Sequence, residues 1–565
     1  MAPPRLKLPK KNRDSVVSGL FLAASYHEIG LKANGTRQKL DDQDDYLEEA
    51  DKHEEAMRKH RFGDPAKALR FADRALNVYS EGLAKFPRNF DLAYNKARLE
   101  LEMATDPVLS QQLKVPVRSV LQQALNSHQH ARDLEPTHAD TLFNMAQVLT
   151  ALAEIIAEDG EFDVSEALQY IKQALEIQSH CFELQEAAFA KSRLELEQAM
   201  RETAQYNTPQ TDNGQVATNP TSKPQTASQE EQWVNIEEPV TAETLLDTVI
   251  AQLEALSALC SIVSSNLVSS PELRSTSAIT LAWVDSYSTK LLTHVLPTLI
   301  HENRERLESR LSDVMLPKAT FTSKYLELSF RLSAFDVARY RQELDAAFSQ
   351  PELDAASEGV LLAGAQALIS FNSALADLAA SGVSNAEGES HDALRWKILV
   401  EAQSRLSSVA KIPDVDKYTV ATTHLLRGDV SLYLQILAYP PTAYPQARNS
   451  TPQLLKHAEI YYRNASKLFA SLGVSTNEDN ITCEAKGAVV SVLQQVTTDQ
   501  AASSNSSGRD NDGAMISIPA SIDQIERALG PALRAKGENW TRELITHMVS
   551  EGMVMPEVFS AIIPF

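Results

Sequence analysis

The sequence predicts an all-α protein built from stacked helical hairpins, a solenoid. Its clearest sign is one unit that occurs twice, as Phe90-Asp-Leu-Ala-Tyr-Asn-Lys-Ala-Arg-Leu and as Ala139-Asp-Thr-Leu-Phe-Asn-Met-Ala-Gln-Val-Leu. A proline precedes each copy, Pro87 and Pro136. At 565 residues the chain is also too long for one ordinary hydrophobic core, which favours several cores or one elongated stack.

The composition is that of an ordinary globular protein, with 43% hydrophobic and 23% charged residues. Its three cysteines, Cys181, Cys260 and Cys483, have neither disulfide-framework nor metal-ligand spacing. This usage favours a reducing compartment over secretion.

The net charge of -22 is unevenly distributed. Residues 101–250 carry 8 Lys/Arg against 24 Asp/Glu, whereas residues 1–100 carry 19 against 16. The acidic balance argues against nucleic acid or an anionic membrane as the main partner. It permits a basic client protein, and the alternative is a solvated acidic face that keeps the protein in solution.

The N-terminus predicts a basic tail over residues 1–13, followed by a helix over 14–34. The apolar run 16–29 is too short and too polar to span a membrane, and it lacks a signal-peptide cleavage site. Lys10-Lys11-Asn12-Arg13 fits a short nuclear-import pattern. We therefore expect a cytoplasmic protein, a nuclear protein, or both.

Helical hairpins are expected from residue 14 to 204. An acidic segment that starts at Asp41 leads into a helix ending at Arg61-Phe62, and Gly63-Asp64 makes the turn to a helix over Pro65–Phe86. Proline at the first helical position starts a helix cleanly. The small residues of its packing face are Ala68, Ala72 and Ala75.

Pairs of alanines mark the partner helices of the two repeated units. Ala124 and Ala131 are seven residues apart, as are Ala167 and Ala174. Seven residues make two helical turns, so both small side chains of a pair face the same groove.

This pattern resembles the tetratricopeptide repeat (TPR), a helix-turn-helix unit of about 34 residues that stacks on its neighbours. The resemblance covers residues 44–200. The two copies lie 49 residues apart, so the helices or loops are longer than the family standard, and Ala93 and Leu142 stand where the family has Trp.

The TPR resemblance implies a concave groove lined by the first helix of each hairpin. Asn95 and Asn144 would hold the backbone of an extended peptide there, because an amide can both donate and accept hydrogen bonds. The alternative is that the two asparagines only stabilise contacts between helices. The complete predicted peptide-binding set is Tyr94, Asn95, Arg98, Phe143, Asn144 and Gln147.

The sequence argues against one familiar use of a TPR groove. TPR proteins that bind the acidic C-termini of heat-shock chaperones have a carboxylate clamp of Lys, Asn and Arg. The positions that match the clamp are His53, Met57, Asn95, Asp140 and Asn144. Only Asn95 fits, and Asp140 would repel a carboxylate.

Beyond the repeats, composition divides the chain further. Residues 205–235 are polar and rich in Pro, Ser and Thr, which predicts a disordered linker, and 498–516 predict a second one. Between them, 236–497 predict a second helical-repeat region, and 517–565 predict a small helical cap.

The second region has a helical apolar stripe after Thr241. Further helices are expected over 276–311, 322–350, 353–381 and 391–410. Later, a helix over Tyr418–Ala438 and one that begins near Pro452 form a weaker repeat-like pair. Ala458 and Ala465 repeat the seven-residue spacing.

The sequence contains no phosphate-binding Gly-rich loop, His-Glu-x-x-His, Cys-x-x-Cys or Gly-x-Ser-x-Gly. His128 and His130 are two apart on a predicted helix, point in different directions and cannot chelate one metal, so we expect surface or groove histidines.

We expect no enzymatic activity, cofactor or metal. The leading hypothesis is a scaffold or adaptor that binds a partner peptide; the alternatives are a subunit that uses 239–498 as an obligate interface, and an enzyme on a helical scaffold.

Overall fold

The computed structural model describes residues 40–158, 164–206, 240–267, 271–380, 391–472, 478–507 and 520–560. Every secondary-structure element within these ranges is a helix, which confirms the predicted all-α fold class. The α-helices are α1 Gln43–His60, α2 Pro65–Lys85, α3 Phe90–Thr105, α4 Val117–Leu134, α5 Ala139–Glu158, α6 Val164–Tyr206, α7 Ala242–Asn266, α8 Pro271–Lys290, α9 Leu296–Glu302, α10 Arg304–Leu307, α11 Leu311–Arg331, α12 Val337–Phe348, α13 Glu358–Ala380, α14 His391–Val409, α15 Lys417–Ile436, α16 Pro445–Ser471, α17 Glu478–Ser507, α18 Ile522–Lys536 and α19 Glu538–Ser550.

Consecutive helices pack as hairpins, among them α1 with α2, α3 with α4, α5 with α6, α13 with α14, and α15 with α16. The sequence signals at the helix starts act as expected. Asp64 accepts a hydrogen bond from the Lys67 amide at 2.9 Å and Asn89 accepts one from the Leu92 amide at 2.7 Å. Each satisfies an amide that the first helical turn leaves without a partner.

The hydrophobic core of the described residues is a series of four clusters that follow the chain rather than one centre. Neighbouring clusters share side chains: Leu113 packs against the first two, Tyr170 against the second and third, and Met315 against the third and fourth. The paired alanines at 124, 131, 167 and 174 are fully buried between helices, as predicted. This serial arrangement is that of a solenoid.

The first helices of successive hairpins form a continuous row. Helix α3 contacts both α1 and α5, and α5 also contacts α7. Backbone approaches between α2, α4 and α6 are sparser among the described residues. We call these closely spaced helices, α1, α3, α5 and α7, the inner row.

In the described part of the chain, two helices are long and apolar enough to cross a membrane, Ala242–Asn266 and Glu358–Ala380. Their most apolar stretches are 89% and 72% buried within the protein. Packing against neighbouring helices therefore accounts for their apolar composition.

Several predicted helix boundaries in the second region were wrong. Instead of one helix over 276–311, α8 continues through a π-helical turn, Leu291–Val295, into α9, and Asn303 then breaks the helix. The expected helix 322–350 is two helices, because Ser333 has a φ of 60° and Asp336 caps a new start. The helix expected from 353 starts at Glu358.

Proline and polar composition misled two further predictions. Helix α16 begins at Pro445 and runs through the exposed Pro452, since a proline within a helix costs a hydrogen bond without always ending it. Helix α17 continues to Ser507, so residues 498–507, expected to be a linker, are helical. The predicted helix 14–34, most of the predicted linker 205–235 and residues 508–516 of the second predicted linker lie outside the described residues.

The C-terminal helices complete the last hydrophobic cluster. Ile525 and Leu529 of α18, Met548 of α19 and Phe559 of a final 3-10 turn, Pro556–Phe559, are buried in it. Helix α18 packs on α17, so the C-terminal helices cover the apolar end of the stack.

Candidate peptide-binding face

The six residues predicted to bind a peptide lie on α3 and α5, neighbours in the inner row of helices. Asn144 is only 3% exposed, whereas the other five are half-buried and reach solvent. The structure therefore brings the set together on one side of the stack, with Asn144 at its base.

Asn144 connects the two helices. Its side-chain amide lies near the Tyr94 hydroxyl across the α3–α5 contact. Burial raises the pKa of Tyr94 well above its usual range, and the negative charge of Asp140 adds to this. Tyr94 is therefore a neutral phenol, and Asn144 is buried at the contact between the two helices.

Asn95 makes its hydrogen bonds within its own helix. Its amide donates to the Asp91 carbonyl at 2.9 Å, and its side-chain oxygen accepts from Arg98 Nε at 3.3 Å. A bound peptide would share this half-exposed amide with Arg98.

Arg98 also anchors α3 to the preceding hairpin. Its guanidinium forms a salt bridge with Glu54 of α1, a carboxylate that is 1% exposed. Tyr79 of α2 donates to the same carboxylate at 2.7 Å, and Arg58 approaches it at 3.3 Å. This network joins three helices, so Arg98 has a structural role that the sequence did not reveal.

An aromatic group beside Tyr94 was also missed. The Phe90 and Tyr94 rings stack with centroids 5.7 Å apart, and the His138 imidazole lies 4.7 Å from Phe90 and 5.1 Å from Tyr94. The available signal was the repeat itself, because His138 occupies the position before α5 that Asn89 occupies before α3. Three half-buried rings thus lie at the start of the two helices.

The two histidines of α4 differ in environment. His130 is exposed at a cleft between α2, α3 and α4, as expected. His128 is fully buried, which corrects our expectation for it, and its Nδ1 lies 2.8 Å from the Ala124 carbonyl. Burial lowers the pKa of His128 to about 4.

No group of three His, Cys, Asp or Glu side chains among the described residues could hold a metal ion. The described cysteines are buried, and none of them forms a disulfide. Burial raises the pKa of Cys181 to about 12, which leaves it an unreactive thiol.

The chain was compared with protein families and with curated proteins. No family model matches the chain. One curated relative, the UPF0656 protein C926.02 of Schizosaccharomyces pombe (strain 972 / ATCC 24843), is 37% identical over 142 residues. That match spans 25% of this chain and 30% of the relative, less than two thirds of its length.

Among solved structures, the chain is similar to a circular tandem repeat protein with novel repeat topology and enhanced subunit contact surfaces. The match has 13% identity and covers 90% of this chain and 99% of the other, with a TM-score of 0.25. The solenoid architecture follows from the helix packing described above.

Proposed function

We propose that the protein is a non-enzymatic, TPR-like scaffold that binds an extended segment of a partner protein on its inner helix row. The observation that carries this proposal is the contact of α3 with both α1 and α5. A continuous row of first helices presents one long surface, and elongated repeat proteins use such surfaces for binding.

The chemistry of this face suits a peptide. Phe90, Tyr94 and His138 offer ring surfaces to apolar side chains. Asn95 and Gln147 offer half-exposed amides that can pair with a peptide backbone. The rings would supply contact area for a bound peptide, and the neighbouring amides would orient its backbone.

Charge favours a neutral or basic segment over an acidic one. Asp91 and Asp140 are exposed at the starts of α3 and α5, beside the aromatic group. Residues 101–250 carry three times as many acidic as basic side chains. An acidic tail would therefore be repelled, whereas a basic segment would be attracted.

Affinity purification with quantitative mass spectrometry tests this proposal. The variant Asn95→Ala/Gln147→Ala removes the two accessible amides and leaves the buried Asn144 intact. The matched control is Gln122→Ala/Asn126→Ala on the exposed side of α4. We expect the first variant alone to lose a partner at unchanged thermal stability. Equal retention by both variants would contradict the proposal.

The alternative of an obligate interface in residues 239–498 has no observation in its favour. The large apolar side chains exposed in the described part of that region, Ile279, Val400 and Leu472, lie on or directly after three different helices. Isolated exposed apolar residues are ordinary on protein surfaces.

A further inference from the structure

A second cleft lies between α6 and α8, on helices other than those of the proposed peptide face. Glu176, His180 and Glu183 face it from α6, at spacings of four and three that place them on one side of the helix. Trp283 and Tyr287, one turn apart on α8, form the opposite wall, and Ser179 completes the lining.

The aromatic wall is held in a defined position. The ring centroids of Trp283 and Tyr287 are 5.3 Å apart, at an interplanar angle of 36°. The Tyr287 hydroxyl is 2.7 Å from Gln252 Oε1 and 3.2 Å from the Leu175 carbonyl, which ties α8 to both α7 and α6. This tyrosine therefore presents a fixed ring to the cleft.

The acidic wall is not neutralised from within the protein. No lysine or arginine in the described ranges forms a salt bridge with Glu176 or Glu183, and Glu183 Oε2 lies 4.0 Å from His180 Nδ1. Both glutamates are solvent-exposed. Two carboxylates without a lysine or arginine partner thus face two aromatic rings.

We infer that this cleft binds the cationic side chain of a lysine or arginine in a basic segment of a partner protein. The rings attract a cation through their π faces, and the carboxylates attract it through charge. The volume is about 330 Å³, at the small end of ligand clefts. It therefore suits one long side chain rather than a large cofactor.

A protein segment is the favoured source of this cation. The α6 wall of the cleft belongs to residues 101–250, which carry 24 acidic side chains against 8 basic ones, and this balance suits a segment with several positive charges. Since the cleft and the face around Tyr94 use different helices, one site can fail a test while the other passes.

Binding of the peptide acetyl-(Lys-Gly-Arg-Gly)4-amide to the full chain, measured by calorimetry, tests this inference. The variant Glu176→Gln/Glu183→Gln removes both carboxylates with little change in shape. The matched control, Glu195→Gln/Glu197→Gln, removes the same charge from exposed positions further along α6. A third variant, Trp283→Leu, keeps an apolar side chain and removes a ring.

We expect Glu176→Gln/Glu183→Gln to weaken peptide binding about fivefold, and Trp283→Leu to weaken it about threefold, from the usual strength of exposed ion pairs and cation–π contacts. The control should change the affinity less than about twofold. Equal losses in both glutamate variants would indicate diffuse charge attraction and overturn the inference. So would unchanged binding in all three variants, or no binding by the wild type.

Discussion

Arg98 of α3 and Glu54 of α1 form a salt bridge across two hairpins, and the Glu54 carboxylate is almost completely buried. Tyr79 of α2 donates a 2.7 Å hydrogen bond to the same carboxylate. Burial and the nearby Glu54 charge raise the pKa of the Tyr79 hydroxyl well above its usual range, so it stays a donor. One carboxylate thus fixes the angle at which α3, and with it the candidate face, meets the first hairpin.

Glu54→Gln should destabilise the protein by about 3 kcal/mol, because it leaves Arg98 partly buried without its counter-charge. Urea unfolding followed by circular dichroism measures this change. The control is Glu55→Gln, since Glu55 is exposed on the same helix and should contribute less than about 0.5 kcal/mol. Equal effects of the two substitutions would show that the buried network does not hold the hairpins together.

Two glycines near Tyr462 should respond in opposite ways to replacement by alanine. At Gly428 of α15 an added methyl would lie 2.5 Å from a Tyr462 ring carbon, whereas at Gly487 of α17 the nearest Tyr462 atom is 3.8 Å away. Gly428→Ala must displace a fully buried ring and should cost about 2 kcal/mol or more. Gly487→Ala should stabilise the protein by up to about 1 kcal/mol through helix propensity.

Thermal unfolding of the two glycine variants in parallel checks this prediction. Each is the control for the other, because both lie in helices that pack on Tyr462. A destabilised Gly487→Ala, or a neutral Gly428→Ala, would contradict the described packing of α15, α16 and α17.

His128 should make stability depend on pH. Burial lowers its pKa to about 4, while an unfolded histidine has a pKa of about 6.5. The unfolded chain therefore takes up the proton first. The contribution of neutral His128 to the free energy of unfolding is therefore complete above about pH 6.5. It is lost progressively as the pH falls towards 4.

Comparing wild type with His128→Gln by urea unfolding at pH 7 and pH 5 isolates this contribution. The wild type should lose about 2 kcal/mol more than the variant between these values. The control His130→Gln alters an exposed residue of the same helix and should lose as much as the wild type. Parallel losses in all three proteins would mean that His128 is accessible to water.

Much of the fold could be predicted from the sequence, because local signals produced it. The alanine pairs, the start at Pro65 and the caps at Asp64 and Asn89 act within one or two helical turns. Prediction failed at Ser333 and Pro452, where tertiary packing decides whether a helix continues. The relation of Arg98 to Glu54 and the Trp283–Tyr287 cleft join residues far apart in the chain, and no spacing rule connects them.

The inner row of helices is the proposed binding surface for a partner segment. Site-specific photocross-linking tests this proposal most directly. A photoreactive phenylalanine replaces either Gln147 on the half-exposed side of α5 or Gln122 on the exposed side of α4, in complexes with the purified partner. We expect cross-links to an extended partner segment from position 147 and none from position 122. Cross-links from position 122 alone would contradict the proposal.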